Sequence, residues 1–324
     1  MQEHKKRPLI VLTGPTAVGK TKLSLMLAGA LGGEIISADS MQVYRGMDIG
    51  TAKIAAAEMG DIPHHLIDIL SPREEFNIVR FQKLAKEAME GIYERGKLPI
   101  LVGGTGFYIQ SVTREIDFSE SEADGSLREE LLAFAKEYGA RALHGRLAAV
   151  DPGAAAQIHE NNIKRTIRAL EYHAQTGGRI SEHNEEQAGH TSPYELYYFV
   201  LTAPRDVLYE NIDRRVDAMI AAGLLDEVKR LREEGMTRGM VSMQGLGYKE
   251  LFEYLDGETT LQDAIGKIKR DTRHFAKRQL TWFKREKQVI WINKEEFQYD
   301  EGRILSAILG FLPKSGEKRN AGDT

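Results

Sequence analysis

The sequence predicts an α/β fold in which a P-loop-type parallel sheet is flanked by helices and carries an all-helical insertion domain. Short apolar segments alternate with helical patterns in the first 115 residues, which is typical of buried parallel strands covered on both faces. A glycine-rich loop with a phosphate-binding spacing follows the first apolar segment. Strand patterns are then absent from residue 116 until residue 195.

The elements of the first domain follow in order from residue 8. Residues 8–13 (PLIVLT) predict a strand, and the helical pattern after it ends at Gly32-Gly33. Residues 34–38 predict a second strand, and residues 77–95 keep helical spacing. Residues 98–102 (LPILV) predict a third strand. This alternation of strand and helix indicates a parallel sheet.

The middle of the chain is predicted to be helical. Seven acidic residues and one arginine occur between positions 115 and 130, and helical patterns follow near 126–134, 140–150 and 162–175. A polar loop is expected at about 181–193, and ELYYFVLT (195–202) predicts a strand that returns to the first domain. We therefore predict a P-loop core with C-terminal helices from 1–115 and 195–312, a helical insertion domain at 116–194, and a disordered tail at 313–324.

Composition excludes several classes of protein. The chain has 324 residues, of which 42% are hydrophobic and 28% charged, as in ordinary globular proteins. It has no cysteine, which excludes disulfides, thiolate metal sites and a thiol nucleophile. The net charge of −4 gives no sign of a polyanionic partner. Because no apolar run approaches the ~18 residues of a membrane span, we expect a cytoplasmic protein with no membrane partner, and a monomer by default.

The glycine-rich loop GPTAVGKT fits the spacing G-x-x-x-x-G-K-[ST] between a strand and a helix. Backbone amides and the helix N-terminus of such a loop hold a diphosphate, and the lysine neutralises its charge. The threonine hydroxyl is a candidate ligand for Mg²⁺, the one cofactor that we predict. The predicted diphosphate-binding residues are Gly14, Pro15, Thr16, Ala17, Val18, Gly19, Lys20 and Thr21.

The expected acidic residue of a P-loop kinase is missing. Such enzymes usually place Asp or Glu at the end of a later strand to organise Mg²⁺, but the strand at 98–102 runs into Gly103-Gly104-Thr105-Gly106. Asp39 instead follows the second strand, at the edge where sheets of this kind bind ligands. This position favours Asp39 as a general base, with a solvated or helix-capping carboxylate as the alternative.

Five segments together resemble the tRNA dimethylallyltransferases: GPTAVGKT (14–21), ISADSMQVYRGMDIGTAK (36–53), GGTGFY (103–108), GLGYKE (245–250) and TRHFAKRQLTWFK (272–284). Enzymes of that family prenylate N6 of the adenosine at position 37, next to the anticodon of tRNA. The resemblance spans residues 8 to about 294 of this chain. Two departures occur, because Ile54 stands where the family commonly has proline and Asn162-Ile163 stands where it often has Asp-Pro.

The resemblance implies that the P-loop binds the diphosphate of dimethylallyl diphosphate rather than ATP. Asp39 matches the catalytic base of the family and Arg215 matches the arginine that contacts the diphosphate. Together with Lys20 and Thr105, a candidate hydroxyl partner, these are the predicted catalytic residues. The resemblance further implies that tRNA contacts Asp39, Ser40, Met41, Gln42, Thr105, Gly245, Gly247, Tyr248 and Lys249.

Local charge supports an RNA partner independently. Residues 264–288 contain nine basic and two acidic residues, and a basic stripe of this kind is typical of phosphate-backbone contact. We expect Arg273, Lys277 and Arg278 to bind tRNA, while Ile268 and Phe275 lie on an apolar face of the same helix. Lys164, Arg165 and Arg168 form a second cluster that we expect to hold the anticodon stem-loop. A solvated helix face is the alternative for either cluster.

Three other functions stay open on the residues alone. A small-molecule P-loop kinase would also carry GPTAVGKT, but the missing acidic strand end argues against it. An isopentenyltransferase acting on a free adenine nucleotide would have little use for the insertion and the basic stripe. A non-enzymatic RNA-binding module gated by a nucleotide is the third. It would have no use for a candidate base such as Asp39 in the segment after the P-loop.

Overall fold

A six-stranded parallel sheet forms the centre of the computed structural model, which describes residues 6–118 and 125–313. In chain order the strands are β1 (Pro8–Thr13), β2 (Glu34–Ala38), β3 (His64–His65), β4 (Pro99–Gly103), β5 (Glu195–Thr202) and β6 (Ile290–Asn293). Their order across the sheet is β3-β2-β4-β1-β5-β6. The predicted α/β class is confirmed. Strands β3 and β6 were not predicted, because two and four residues are too short to show a periodic pattern.

Helices connect and cover these strands. They are α1 (Lys20–Leu31), α2 (Ala56–Met59), α3 (Ile78–Glu94), α4 (Gly106–Thr113), α5 (Gly125–Tyr138), α6 (Ala140–Val150), α7 (Pro152–Gln157), α8 (Ile163–Thr176), α9 (Ile180–Ala188), α10 (Arg205–Ala221), α11 (Leu224–Glu233), α12 (Tyr248–Leu255), α13 (Leu261–Phe283) and α14 (Glu301–Gly310). Short 3₁₀ turns occur at Ser242–Gln244 and Lys294–Phe297.

The chain divides into two compact units. The larger unit ends at Thr113 and resumes at Pro193, and the smaller unit is Arg114–Ser192. The predicted disordered tail lies outside the described residues from position 314 onward.

Both faces of the sheet are buried, as the continuously apolar strands require. Successive side chains of β1 alternate between the faces, so Leu9 and Val11 join one apolar cluster and Ile10 and Leu12 join the other. Residues of α3, α11, α12 and α13 complete the first cluster, and residues of α1 and α14 contribute to the second. The sheet is therefore held between layers of helices.

The sheet register brings three loops to one edge. Thr13 at the end of β1 and Ala38 at the end of β2 are both level with Gly103 at the end of β4. The loops that follow these strands therefore begin side by side, because the carboxyl ends of parallel strands share an edge. They are the P-loop, the Asp39 segment and the Gly104-Thr105 turn.

The smaller unit, as described, is helical, with two small apolar clusters between α5 and α9. Its buried Asp151 accepts hydrogen bonds from the backbone N–H groups of Ala154 and Ser181 and from the Ser181 hydroxyl. The prediction of a polar loop at 181–193 is wrong, because α9 covers Ile180–Ala188. Asp151 fixes the first turn of α9 across 30 positions of sequence, a contact that local polarity does not reveal.

Within residues 6–118 and 125–313, no helix is both long enough and apolar enough to cross a bilayer.

Candidate active site

The predicted P-loop joins the carboxyl end of β1 to the first turn of α1. Gly14 has a φ of 146°, and a Cβ at this position would lie 2.5 Å from the carbonyl oxygen of Leu201. Glycine is therefore required where the chain leaves the strand. Helix α1 begins at Lys20, directly after the loop, so its first backbone amides face the space that the loop encloses. Such a helix N-terminus is an anion-binding site.

Lys20 lies at the end of this loop and is half-buried. Its Nζ donates hydrogen bonds to the carbonyl oxygens of Gly14 at 2.9 Å and Pro15 at 2.8 Å. Burial and the guanidinium of Arg215 lower the pKa of Lys20 to about 7, and the Asp39 carboxylate opposes that shift. A bound anion would favour the protonated form of Lys20.

Asp39 stands at the end of β2 and holds the next turn with one oxygen. Its Oδ1 accepts hydrogen bonds from the backbone N–H groups of Met41 at 2.8 Å and Gln42 at 3.3 Å. This Asx turn fixes the carboxylate. Within the described residues, Oδ2 has no hydrogen-bond partner, so it is available to accept a proton from a ligand.

Gln279 of α13 joins two loops of the site, a role that the sequence analysis missed. Its side chain is buried; Oε1 accepts a hydrogen bond from the N–H of Thr16 at 2.8 Å, and Nε2 donates to the carbonyl oxygen of Gly104 at 2.9 Å. A Cβ at Gly104 would lie only 2.2 Å from Gln279 Nε2, so the approach requires glycine there. The P-loop and the turn after β4 are thereby held together.

The two adjacent arginines of α10 have different environments. Arg214 is exposed, and its guanidinium donates a hydrogen bond to Asn211 Oδ1 at 2.9 Å. Arg215 is half-buried, and burial lowers its pKa while Asp39 opposes the shift. Its guanidinium stays charged near neutral pH. Arg215 thus presents a fixed positive charge beside Lys20 and Asp39.

Two adjoining cavities meet at these residues, and each falls in the size range of small-molecule sites. The P-loop cavity, of about 450 Å³, is lined among others by Thr16, Ala17, Gly19, Lys20, Thr21, Gln42 and Gly104. The 245–249 cavity, of about 330 Å³, is lined among others by Ser40, Met41, Thr105, Gly245, Gly247, Tyr248, Lys249 and Arg278. Among the residues that the structure describes, five line both cavities: Thr16, Asp39, Thr51, Arg215 and Phe275.

Most of the predicted catalytic and diphosphate-binding residues therefore come together. Val18 is buried below the loop, and its carbonyl oxygen accepts a hydrogen bond from Lys294 Nζ at 3.2 Å. Gln42 lines the P-loop cavity rather than the 245–249 cavity. Its amide oxygen accepts a hydrogen bond from the Ser37 hydroxyl at 3.0 Å, so it is already engaged.

Glu227 of α11 holds residues that line the 245–249 cavity. The sequence did not predict this role. The buried carboxylate of Glu227 accepts hydrogen bonds from the Tyr248 hydroxyl at 2.6 Å and from the backbone N–H groups of Ile49 and Gly50 at 2.8 and 3.1 Å. Burial and this carboxylate raise the pKa of Tyr248. The Tyr248 hydroxyl is thus already bonded to Glu227, and Tyr248 contributes to the wall of the cavity. Lys249 is half-buried at the same wall.

Ion pairs neutralise part of the predicted basic stripe. Lys267 pairs with Glu253 and Lys269 with Asp217, both at 2.6 Å. Arg273, one of the three residues assigned to tRNA, is half-buried and pairs with an aspartate of α10. Lys277 and Arg278 are exposed, and no ion pair involves either of them in the part of the chain that the structure describes.

The second predicted cluster lies on α8 of the smaller unit. Lys164, Arg165 and Arg168 are exposed there. The side chain of Asn162 caps this helix by accepting a hydrogen bond from the N–H of Arg165 at 3.3 Å. The departure from the family at Asn162-Ile163 therefore still gives a regular helix start.

The site offers few ligands for a metal ion. No group of three or more His, Asp or Glu side chains that could hold an ion occurs among residues 6–118 and 125–313. Thr21 is exposed at the P-loop cavity and can supply one hydroxyl oxygen. Mg²⁺ usually keeps several waters and takes its other ligands from substrate phosphates, so this single hydroxyl fits Mg²⁺ bound together with a diphosphate.

Comparison with known proteins agrees with this geometry. The IPP transferase family matches residues 42–286, and the isopentenyl transferase family matches residues 8–68. A protein of Lachnoclostridium phytofermentans named tRNA dimethylallyltransferase is 60% identical over 306 residues, which are 94% of this chain and 97% of that protein.

Solved structures show the same similarity. The full-length tRNA isopentenylpyrophosphate transferase of Bacillus halodurans is 50% identical with a TM-score of 0.70, over 94% of this chain and 96% of that one. A eukaryotic dimethylallyltransferase acting on tRNA is 31% identical with a TM-score of 0.78, over 93% of this chain and 78% of that one. The family resemblance inferred from the motifs is thus confirmed, and the chain belongs to the IPP transferase family.

Proposed function

We propose that this enzyme transfers the dimethylallyl group of dimethylallyl diphosphate to N6 of adenosine 37 of tRNA, next to the anticodon, and releases diphosphate. The observation that carries the proposal is the junction of the two cavities, where Asp39 and Arg215 line both. An anion-binding loop opens on one side and a partly apolar cavity opens on the other. The junction is the place where donor and acceptor would meet.

Asp39 acts as the general base. The lone pair of the exocyclic N6 is delocalised into the purine ring, so attack is helped when a base takes its proton. As the N6–carbon bond forms and the carbon–oxygen bond of the donor breaks, the N6 proton passes to Asp39 Oδ2. Oδ1 keeps its hydrogen bonds to the turn, so the carboxylate needs no reorganisation.

The leaving diphosphate gains negative charge as that bond breaks. Lys20 and Arg215 stabilise this charge from fixed positions, together with the backbone amides at the start of α1. The Thr21 hydroxyl would hold Mg²⁺, which when bound neutralises diphosphate oxygens. Thr16 and Thr105 line the junction and the 245–249 cavity and offer further hydroxyl groups.

The acceptor enters the 245–249 cavity as a base extruded from the anticodon loop. Extrusion costs a few kcal/mol, which contacts to the base and its neighbours offset. Ser40, Met41 and the 245–249 loop would contact this base. Lys277 and Arg278 would bind the backbone phosphates. Because one chain contains all of these residues, we propose that a monomer suffices.

A transfer assay tests the proposal. The protein, Mg²⁺ and labelled dimethylallyl diphosphate are mixed with unmodified tRNA, and with the same tRNA carrying guanosine at position 37. The proposal predicts label in the first RNA at position 37 and none in the second. Label on both, or on neither, would contradict it.

Parallel reactions separate the alternatives. A P-loop kinase would phosphorylate adenosine when ATP replaces the isoprenoid donor, and an enzyme of free nucleotides would label AMP at least as fast as tRNA. The proposal predicts neither product.

A further inference from the structure

The residues that line both cavities differ in polarity. Thr16, Asp39, Thr51 and Arg215 are polar, and Phe275 is the one apolar side chain among the described residues that line both. Phe275 is half-buried, and the Arg278 guanidinium carbon lies 5.7 Å from the centroid of its ring.

Helical spacing on α13 directs this ring to the junction. Ile268, Thr272 and Phe275 are separated by four and three positions and all line the 245–249 cavity, while Gln279 follows four positions later and binds the P-loop. One face of α13 therefore runs along both cavities. Phe275 lies one helical turn before Gln279, which binds the N–H of Thr16. Its ring lies where the P-loop cavity meets the 245–249 cavity.

A second helix extends the apolar surface around Phe275. Ile212, Val216 and Met219 of α10 line the 245–249 cavity at the same helical spacing, on either side of Arg215. The cavity is also lined by residues 245–249, Ser40 and Met41. Its apolar side chains from α10 and α13 are Ile212, Val216, Met219, Ile268 and Phe275.

We propose that the Phe275 ring packs against the dimethylallyl group of the donor and makes the site prefer an isoprenoid diphosphate over bare diphosphate. This inference rests on the proposed function. With the diphosphate in the P-loop and the acceptor nitrogen at Asp39, the five-carbon group must lie between them, and Phe275 is the hydrocarbon surface at that place. After transfer the isoprenoid leaves with the RNA, so the diphosphate product loses this contact and binds more weakly than the donor.

Binding measurements without tRNA test this inference. The probes are inorganic diphosphate and a dimethylallyl thiodiphosphate, in which sulfur replaces the bridging oxygen so that transfer is blocked. We expect Phe275→Ala to weaken binding of the thiodiphosphate about tenfold, as loss of roughly 50 Å² of apolar contact implies. Binding of inorganic diphosphate should stay within about twofold of wild type.

Matched variants separate this contact from damage to the fold. Phe275→Leu keeps an apolar side chain and should recover most of the affinity for the thiodiphosphate. Phe311→Ala removes an exposed ring elsewhere in the larger unit and should change neither affinity. If Phe275→Ala weakened both probes equally, or weakened neither, the inference would be overturned.

The transfer assay distinguishes failure of this inference from failure of the proposed function. If wild-type protein bound the thiodiphosphate no better than diphosphate but still labelled tRNA, only the inference would fail, and if it labelled no tRNA, the proposed function would fail. If wild type preferred the thiodiphosphate and Phe275→Ala kept that preference, only the role of Phe275 would fail.

Discussion

At the scale of single residues, Lys20 gives the site a defined pH dependence. Its pKa of about 7 in the free protein means that Lys20 is mostly neutral at pH 8. A bound diphosphate favours the ammonium form and moves the pKa back toward the ordinary value of about 10.4. Donor binding should therefore take up a proton above pH 7, and affinity should fall as the pH rises.

This predicts that the dissociation constant for dimethylallyl thiodiphosphate rises up to about tenfold per pH unit between about pH 7.5 and 9. Titration calorimetry in buffers of different ionisation enthalpy should show uptake of nearly one proton. Lys20→Arg, which stays charged throughout, should show neither effect. A wild-type affinity that is constant with pH would contradict the assignment.

Gln279 should contribute to stability as well as to the shape of the site. Gln279→Leu leaves the N–H of Thr16 and the carbonyl oxygen of Gly104 without their partner. An unpaired buried group costs roughly 1–3 kcal/mol, and Gly104 is buried whereas Thr16 is half-buried, so urea unfolding should show a loss of that order for one group. The surface change Gln288→Leu is the control and should have little effect. Full stability of Gln279→Leu would show that the bridge is not needed.

At the scale of elements, α13 combines two roles. Gln279, Phe275 and Ile268 face the cavities, while Lys277 and Arg278 are exposed. The basic stripe predicted over the whole segment is narrower in the structure, because ion pairs occupy several of its members.

Helix α13 contains both ion-paired and unpaired basic residues, so two double variants that remove the same charge can be compared. Lys277→Ala with Arg278→Ala should weaken tRNA binding and reduce the slope of log K against log salt by about 1 to 2. Lys267→Ala with Lys269→Ala removes the same charge, but these lysines are paired with Glu253 and Asp217. That control should leave the slope nearly unchanged. Equal slopes for the two double variants would show that α13 does not bind RNA through its unpaired charges.

Local patterns predicted the elements that carry the P-loop, Asp39 and the turn after β4, because each depends on neighbouring residues. The long-range contacts escaped sequence reasoning. Thr16 and Gln279 are 263 positions apart, and Gly50 and Glu227 are 177 positions apart. Phe275 fitted an apolar helix face, and periodicity does not distinguish a core position from a cavity wall. The α9 helix was missed because a long-range contact fixes its start: the N–H of Ser181 donates to Asp151, which lies 30 positions earlier.

At the scale of the whole molecule, the proposed tRNA contacts divide between the two units. The larger unit contains the cavities and Lys277, and the smaller unit contains the exposed cluster on α8. The triple change of Lys164, Arg165 and Arg168 to alanine should weaken binding of tRNA and lower its salt slope. Donor binding should be unaffected.

The control for this experiment removes charge from other helices of the smaller unit. Lys136→Ala with Arg141→Ala changes exposed residues of α5 and α6. We expect a much smaller effect on tRNA binding than for the α8 cluster. A comparable loss would indicate general charge attraction and would contradict a specific role for α8.

In the proposed mechanism, Asp39 takes the N6 proton at the junction of the two cavities. Asp39→Asn keeps an oxygen that can accept from the N–H of Met41 but removes the base. Single-turnover transfer from dimethylallyl diphosphate to bound tRNA should slow by about 10²- to 10⁴-fold, with tRNA and thiodiphosphate affinities within about threefold of wild type. Asp226→Asn, at an exposed aspartate of α11, should transfer at the normal rate. If Asp39→Asn also transferred at the normal rate, Asp39 would not be the base that takes the N6 proton.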